Sequence, residues 1–308
     1  MKLWQLGTGL LLLNFLNVVS AAPAERVSSK LVHLFDYDSH QPLDTHDKIV
    51  KDFDCGVIHE ITYVSPSGGL VSAYQIIPKG KGAFAALVFG HWGNGTRGEF
   101  IPEAKAYACS GVVSLLPDYP WDRPRPWYSA IDDFAHPDLD RKTRINTVIE
   151  MRRAIDLLLS RTDVDANRLG YVGHSFGAQW GAILAAVEPR IKAAALVAGV
   201  AEEADVLLRS DNPRIADLRA GLPKGQLETY LKTLEEFNAI NYVRYARIPL
   251  LLQFANFEQY FGRASMERYA AATTEPKTVL FYDSAHELND PQAFKDRFDW
   301  LAKSLAFR

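Results

Sequence analysis

A serine flanked by glycines constrains the fold of this chain more than any other feature. Residues 168–186 read RLGYVGHSFGAQWGAILAA, in which an apolar run precedes Gly173-x-Ser175-x-Gly177 and small or apolar residues follow it. This order predicts a strand, a tight turn and a helix, because only glycine lets the two elements approach without a Cβ clash. Ser175 would stand at the carboxyl end of the strand, beside the free N–H groups of the helix. The pattern is typical of a nucleophilic serine.

The composition indicates one globular catalytic domain. The chain has 308 residues, of which 48% are hydrophobic and 23% charged, and this is enough to bury one large core. A formal net charge of −3 gives no basic field for nucleic acid, and no run of Lys or Arg favours an anionic membrane surface. We therefore expect a small-molecule partner, no nucleic acid and no stable membrane association.

The first 24 residues are typical of a secretory signal peptide. Lys2 precedes an apolar run over 6–19 that is too short to span a bilayer, and small residues follow it. We predict cleavage after Ala24, with Ala21 as the second choice. A catalytic domain over 25–308 would then be secreted or periplasmic.

The chain has two cysteines, Cys55 and Cys109. Export would permit a disulfide between them, but a domain of this size does not need one. We therefore expect both thiols to be unpaired.

Strand and helix patterns alternate along the chain and predict an α/β fold. Residues 25–50 are expected to be an irregular polar leader, and a hairpin is predicted over 57–77. Apolar runs suited to buried strands follow at 84–89, 112–116, 168–172, 193–200, 249–254 and 278–282. The helical patterns between them make βαβ units, which favour a mostly parallel sheet with helices on both faces. We interpret residues 201–247 as a helical insertion that forms a lid over the site.

A glycine-rich loop over 90–98 follows an early strand. It lacks the Gly-Lys-Ser/Thr sequence of a phosphate-binding loop and the spacing of a dinucleotide-binding loop. We expect the backbone N–H of Trp92 or Gly93 to pair with that of Phe176 and form an oxyanion hole.

A proline-stiffened loop over 117–128 carries the aromatic residues Tyr119, Trp121 and Trp127. These side chains could line a substrate pocket, or they could cap the sheet edge. We take substrate contact by all three as the working hypothesis.

A serine hydroxyl needs a base to become nucleophilic at neutral pH, and imidazole is suited to that role. His286 follows the last predicted strand, at the same sheet edge as Ser175, whereas His174 should point away from its neighbour. A carboxylate that orients the imidazole is expected after the preceding strand, where Glu258 lies. Other acids remain open for this role, namely Glu202, Glu203, Asp205 and Asp283.

Four features of this chain resemble the α/β-hydrolase superfamily. In chain order, they are the loop containing His91-Trp-Gly93, the motif at 173–177, Glu258 and His286. The hairpin near Cys55 and the segment 283–289 resemble its dienelactone-hydrolase-like branch, which includes exported esterases. This resemblance implies an eight-stranded, mostly parallel sheet and acyl-serine chemistry on a carboxylic ester, without a metal or cofactor. Dienelactone hydrolases themselves use cysteine at the position of Ser175.

Two alternative functions are open. A serine peptidase of the prolyl-oligopeptidase type would use the same residues, but the chain is short for the gating domain that such enzymes carry. A non-catalytic binding protein with this fold would be expected to lack Ser175 or His286, and both are present.

Overall fold

A computed structural model describes residues 27–308, so the predicted signal peptide lies outside the described residues. Nine strands of the described chain form one sheet. They are β1 (His46–Phe53), β2 (Gly56–Val64), β3 (Leu70–Pro78), β4 (Phe84–Gly90), β5 (Val112–Pro117), β6 (Val164–His174), β7 (Ala193–Val197), β8 (Leu250–Ala255) and β9 (Lys277–Tyr282). Their order across the sheet is β1-β2-β3-β5-β4-β6-β7-β8-β9.

The sheet is parallel except at one edge. All pairs among strands β4 to β9 are parallel. The pairs β1–β2, β2–β3 and β3–β5 are antiparallel. Parallel strands bring their carboxyl ends to one edge, and the loops after β4, β6, β8 and β9 therefore meet there. The predicted, mostly parallel sheet is confirmed.

Helices cover both faces of the sheet. They are α1 (Ser29–His33), α2 (Ile101–Ala108), α3 (Pro137–Leu159), α4 (Phe176–Val187), α5 (Glu203–Leu207), α6 (Pro213–Gly221), α7 (Gln226–Leu234), α8 (Ile240–Val243), α9 (Arg263–Ala272) and α10 (Pro291–Leu305), with 3-10 turns at Pro120–Asp122 and Glu235–Phe237. Alternate strand residues face opposite sides, as their period of two requires. On β4, Leu87 packs with α2 and α10, while Val88 packs in the core with α3 and α4.

The expectation of an irregular leader over 25–50 is wrong, because this part of the chain contains α1 and the start of β1. Strand β1 also makes the sheet nine-stranded instead of the eight-stranded sheet that the resemblance implied. Seven of its eight residues are exposed, so the strand shows no apolar alternation that a sequence pattern could reveal. Its hydrogen bonds to β2 define it instead.

The expectation of two unpaired cysteines is also wrong. Cys55 lies in the turn between β1 and β2, and Cys109 caps the carboxyl end of α2. The fold brings their Cα atoms to 4.8 Å, and the two sulfur atoms form a disulfide. Domain size carries no information about this proximity, which arises from the packing of α2 against the antiparallel edge of the sheet.

The segment between β7 and β8 contains α5 to α8. Helix α7 packs against α3, and α8 packs against α4 and α9, so this segment is anchored on the main body of the fold. Among residues 27–308, no helix combines the length and the apolar character needed to cross a bilayer.

Candidate active site

Ser175 occupies a strained turn between β6 and α4. Its φ of 55° and ψ of −111° lie in a region that L-residues rarely adopt. Two hydrogen bonds hold this turn, because the Ser175 N–H donates to the carbonyl of Val197 at 2.8 Å and the Gly177 N–H donates to that of His91 at 3.1 Å. The predicted strand, turn and helix are therefore present, with the serine at the carboxyl edge of the sheet.

The two flanking glycines are required by close backbone contacts. A Cβ atom at Gly173 would lie 2.2 Å from the carbonyl oxygen of Gly177, and one at Gly177 would lie 2.0 Å from that of Gly90. Such distances are far below van der Waals contact. No other residue type fits at either position unless the backbone moves.

His286 and Glu258 form a buried pair at the same edge. The distance between His286 Nδ1 and Glu258 Oε2 is 2.7 Å, and 6% and 1% of their side chains are exposed. The other carboxylate oxygen, Oε1, accepts the backbone N–H groups of Gln259 and Tyr260, both at 2.9 Å. A carboxylate can only accept, so His286 carries a proton on Nδ1 and the pair fixes the ring orientation.

The competing acids have other partners. Glu203 contacts Arg144, Asp205 contacts Ser265 and Arg268, Asp283 contacts Asn256, and Glu202 lies 3.5 Å from Arg268. In the described part of the chain, Glu258 is the carboxylate in contact with the His286 ring.

One cavity brings the predicted residues together. Its volume is about 230 Å³, and its lining includes Ser175, His286, Trp92, Gly93 and Phe176. Much of the remaining wall is apolar and comes from Phe134, Val200, Val206, Leu207, Ile215 and Leu218. The nucleophile, the imidazole and the loop after β4 therefore line one cavity.

Phe176 and Gly93, which line the same cavity as Ser175, have backbone N–H groups available to a ligand. Among residues 27–308, no hydrogen-bond acceptor is found for the N–H of Phe176, the first residue of α4, or for that of Gly93. The Trp92 N–H, in contrast, donates to Glu99 Oε2 at 2.9 Å. Of the two alternatives for the second oxyanion donor, the structure therefore favours Gly93 over Trp92.

The direction of the Gly93 N–H is set by the carbonyl on the same peptide group, that of Trp92. This carbonyl accepts the Gly95 N–H at 3.0 Å and lies 2.7 Å from His91 Nδ1. The plane of the Trp92–Gly93 peptide is fixed as a result, as an oxyanion hole requires.

None of the three aromatic residues expected to contact substrate belongs to the lining of this cavity, and their contact with substrate stays a prediction. Tyr119 is buried, and its hydroxyl donates to the His91 carbonyl at 3.1 Å. Trp121 donates its indole N–H to the Gly93 carbonyl at 2.8 Å. Both hydrogen bonds stabilise the glycine-rich loop. Trp127, in contrast, is half exposed and packs on Gly69, in the turn between β2 and β3.

The sequence analysis missed a polar end of the cavity. Asp132, Gln179 and Glu203 belong to its lining, and Gln179 lies one helical turn beyond Ser175 on α4. The buried guanidinium of Arg144 contacts Glu203 at 2.6 Å and Asp132 at 3.2 Å. Burial raises the pKa of Asp132, although the positive charge of Arg144 lowers it. Water reduces the size of the shift, because about half of the Asp132 side chain is accessible.

Glu99 and His174 were also missed. Glu99 precedes α2, and His174 ends β6 with only 5% of its surface exposed. The two side chains contact each other at 2.7 Å, and His174 Nε2 lies 3.0 Å from the carbonyl oxygen of His286. The sequence signal was the histidine next to the serine, which was expected only to point away.

One group of side chains in the described chain has metal-ligand geometry. Ligand atoms of His91, Asp118 and Asp122 lie within 4.8 Å of one another. Arg97 already provides positive charge there, since its Nε lies 3.3 Å from Asp118. Asp122 accepts a hydrogen bond from the Tyr119 N–H at 3.3 Å, so the cluster also stabilises the loop after β5.

No protein-family model and no curated protein sequence matches this chain. Solved structures do. An acetyl xylan esterase from Paenibacillus sp. R4 superposes with a TM-score of 0.75 at 20% identity, covering 89% of this chain and 92% of that chain. Acetyl xylan esterase 1 from Thermoanaerobacterium sp. JW/SL YS485 gives a TM-score of 0.67 at 16% identity, covering 90% and 92%.

A protein from Klebsiella pneumoniae named as a candidate dienelactone hydrolase is similar as well, with a TM-score of 0.56 at 15% identity, covering 86% of this chain and 98% of that chain. Identities this low establish the architecture and leave the activity open. The mostly parallel sheet, the serine turn after β6 and these superpositions agree. The chain therefore has the fold of the α/β-hydrolase superfamily, as the sequence predicted.

Proposed function

We propose that this protein is a serine hydrolase that cleaves small carboxylic esters through an acyl-serine intermediate. One observation carries the proposal: Ser175, His286, Phe176 and Gly93 line the same cavity, and Glu258 contacts the His286 ring from outside that lining. A nucleophile, an oriented base and two oxyanion donors are the parts that acyl transfer needs.

In the first half of the reaction, the Ser175 hydroxyl attacks the ester carbonyl while His286 Nε2 accepts its proton. The carbonyl oxygen becomes an oxyanion and accepts the N–H groups of Phe176 and Gly93. When the intermediate collapses, the bond to the alcohol oxygen breaks, and His286 returns the proton to the departing alcohol. The acyl group remains on Ser175.

In the second half, water takes the place of the alcohol. His286 Nε2 accepts a proton from the water, whose oxygen attacks the acyl carbon. The same two N–H groups hold the second oxyanion. Collapse releases the carboxylic acid and restores the Ser175 hydroxyl with the proton from His286. Glu258 keeps its negative charge and stabilises the imidazolium in both halves.

The size of the cavity supports a small substrate. Its volume of about 230 Å³ is below the roughly 300–1,000 Å³ of most ligand pockets. Two of the similar structures are acetyl xylan esterases, and a short acyl group would fit this volume. The polar end near Gln179 and Glu203 would accept hydrogen-bond donors of the substrate.

The test is hydrolysis of p-nitrophenyl esters of increasing acyl length by the wild type and by Ser175→Ala. We expect turnover by the wild type with an optimum at short chains, and none above background with the variant. A fluorophosphonate should label the wild type at Ser175. Labelling without turnover of any ester would refute the substrate class, and absence of labelling would refute the nucleophile and favour the binding-protein alternative.

We also propose that the region 201–247 acts as a lid over the cavity.

A further proposal is that the protein is exported. The signal-like first 24 residues support export, and so does the disulfide between Cys55 and Cys109, a bond that persists mainly in oxidising compartments. Amino-terminal sequencing of protein from the culture medium or periplasm should begin at Glu25 or Ala22. Retention in the cytoplasm with an intact Met1 would contradict export.

A further inference from the structure

A chain of hydrogen bonds joins the loop that carries Gly93 to the loop that carries His286. The Trp92 N–H donates to Glu99 Oε2 at 2.9 Å, and Glu99 Oε1 lies 2.7 Å from His174 Nδ1. His174 Nε2 then lies 3.0 Å from the His286 carbonyl oxygen. The link thus runs from one neighbour of the oxyanion donor to the backbone of the catalytic base.

The partners of His174 determine its protonation. A backbone carbonyl is only an acceptor, so Nε2 must carry a proton. A carboxylate is also only an acceptor, so Nδ1 must carry one too. With both nitrogens protonated, His174 would be an imidazolium and Glu99 its counter-ion.

Loss of that proton would break the link at a defined point. A neutral His174 that keeps its proton on Nε2 turns a lone pair on Nδ1 toward Glu99 Oε1, and two acceptors would then face each other at 2.7 Å. The loop before α2 brings Glu99 to His174, and the loop after β9 brings the His286 ring to within 5.2 Å of it.

We propose that His174 and Glu99 are positioning residues, and that a cationic His174 holds the Gly93 loop and the His286 loop at the separation that catalysis requires. This inference rests on the proposed function. Neither side chain belongs to the cavity lining, so their effect reaches the reaction through the backbones of Trp92 and His286. Misplacement of a reacting group by about 1 Å can cost on the order of 100-fold in rate.

The decisive comparison is Glu99→Ala against Glu99→Gln. A glutamine can turn its carbonyl oxygen to the Trp92 N–H and its amide N–H to Nδ1 of a neutral His174, so the link survives without the extra proton. An alanine leaves both partners unpaired. We expect Glu99→Ala and His174→Ala to lower kcat by about 10- to 100-fold with KM within about threefold, and Glu99→Gln to retain kcat at neutral pH within about threefold.

The split between kcat and KM, together with rescue by the conservative variant, separates a positioning role from a merely structural one. Glu99→Ala and His174→Ala should lower kcat at a nearly unchanged KM, whereas Glu99→Gln should restore kcat. The matched control is His136→Ala, since His136 is an exposed histidine that also pairs with an acid, Asp133. It should leave kcat and KM unchanged. Circular dichroism and urea unfolding of each variant identify any that fail to fold, and Glu99→Gln remains informative in that case.

A second measurement does not depend on ester hydrolysis. The ¹⁵N shifts of His174 in the wild-type protein at neutral pH should show both ring nitrogens protonated. A neutral ring would overturn the inference, as would a Glu99→Gln variant as slow as Glu99→Ala. If the wild type hydrolyses no ester while His174 is doubly protonated, the proposed function fails, but the cationic link stands.

Discussion

Replacing Glu258 by glutamine should abolish most activity by forcing His286 into the wrong tautomer. Glu258 Oε1 accepts two backbone N–H groups, those of Gln259 and Tyr260. In Glu258→Gln, the carbonyl oxygen must stay at this position, because an amide N–H there would face two other donors. The amide nitrogen therefore faces His286 Nδ1, which must become an acceptor. The proton moves to Nε2, and the imidazole can no longer accept one from Ser175.

The expected loss in kcat is about 10⁴-fold, the effect that the same tautomer change has in a serine protease triad. This corresponds to about 5 kcal/mol of transition-state stabilisation. Glu258→Asp keeps the charge but shortens the side chain by one methylene, so a smaller loss of about 10- to 100-fold follows from misplacement alone. Both variants are assayed with p-nitrophenyl acetate at neutral pH under saturating substrate.

The matched control is Asp283→Asn. Asp283 lies three residues before His286 and contacts Asn256 instead of the imidazole. Its kcat should stay within about twofold of the wild type. If folded Glu258→Gln keeps kcat within tenfold of the wild type, or if Asp283→Asn loses as much, Glu258 does not orient the base and the argument fails.

Two further predictions concern stability. In Gly177→Ala, the new methyl group would meet the Gly90 carbonyl at 2.0 Å, so the free energy of unfolding should fall by more than about 3 kcal/mol. The control Gly221→Ala has open space around its Cβ and should change this free energy by less than about 1 kcal/mol. Equal values from urea titrations would contradict the packing argument. The disulfide joins two residues that are 54 positions apart. Because the bond restricts the unfolded chain, the double variant Cys55→Ser/Cys109→Ser should lose about 4 kcal/mol of unfolding free energy. A loss below about 1 kcal/mol would show that the unfolded chain without the disulfide gains little freedom.

The elements that local sequence determines were predictable. The turn around Ser175 needs particular residues within five positions, and its flanking strand and helix have strong apolar patterns. Glu258 could be assigned because parallel strands order their loops along one edge, which relates distant segments without knowledge of side-chain packing. The 2.7 Å contact with His286 agrees with that assignment.

The features that the sequence patterns did not reveal depend on contacts between segments far apart in the chain. Strand β1 is defined by its pairing with β2, and its exposed residues carry no periodic signal. Tyr119 and Trp121 have the composition of a binding surface, yet their polar atoms bind backbone carbonyls of the loop after β4. The pairing of Glu99 with His174 spans 75 residues, and the local sequence around either residue does not identify its partner.

The cavity divides its walls between two parts of the fold. The loops at the sheet edge provide Ser175, His286 and the N–H donors, whereas α5 and α6 provide apolar wall residues such as Leu207, Ile215 and Leu218. Helix α6 has no buried residue of its own, so substitutions along it disturb little of the core. Substrate preference in this protein can therefore diverge through α6 while the reaction machinery stays constant, and a library confined to residues 213–221 is the economical route to new acyl selectivity.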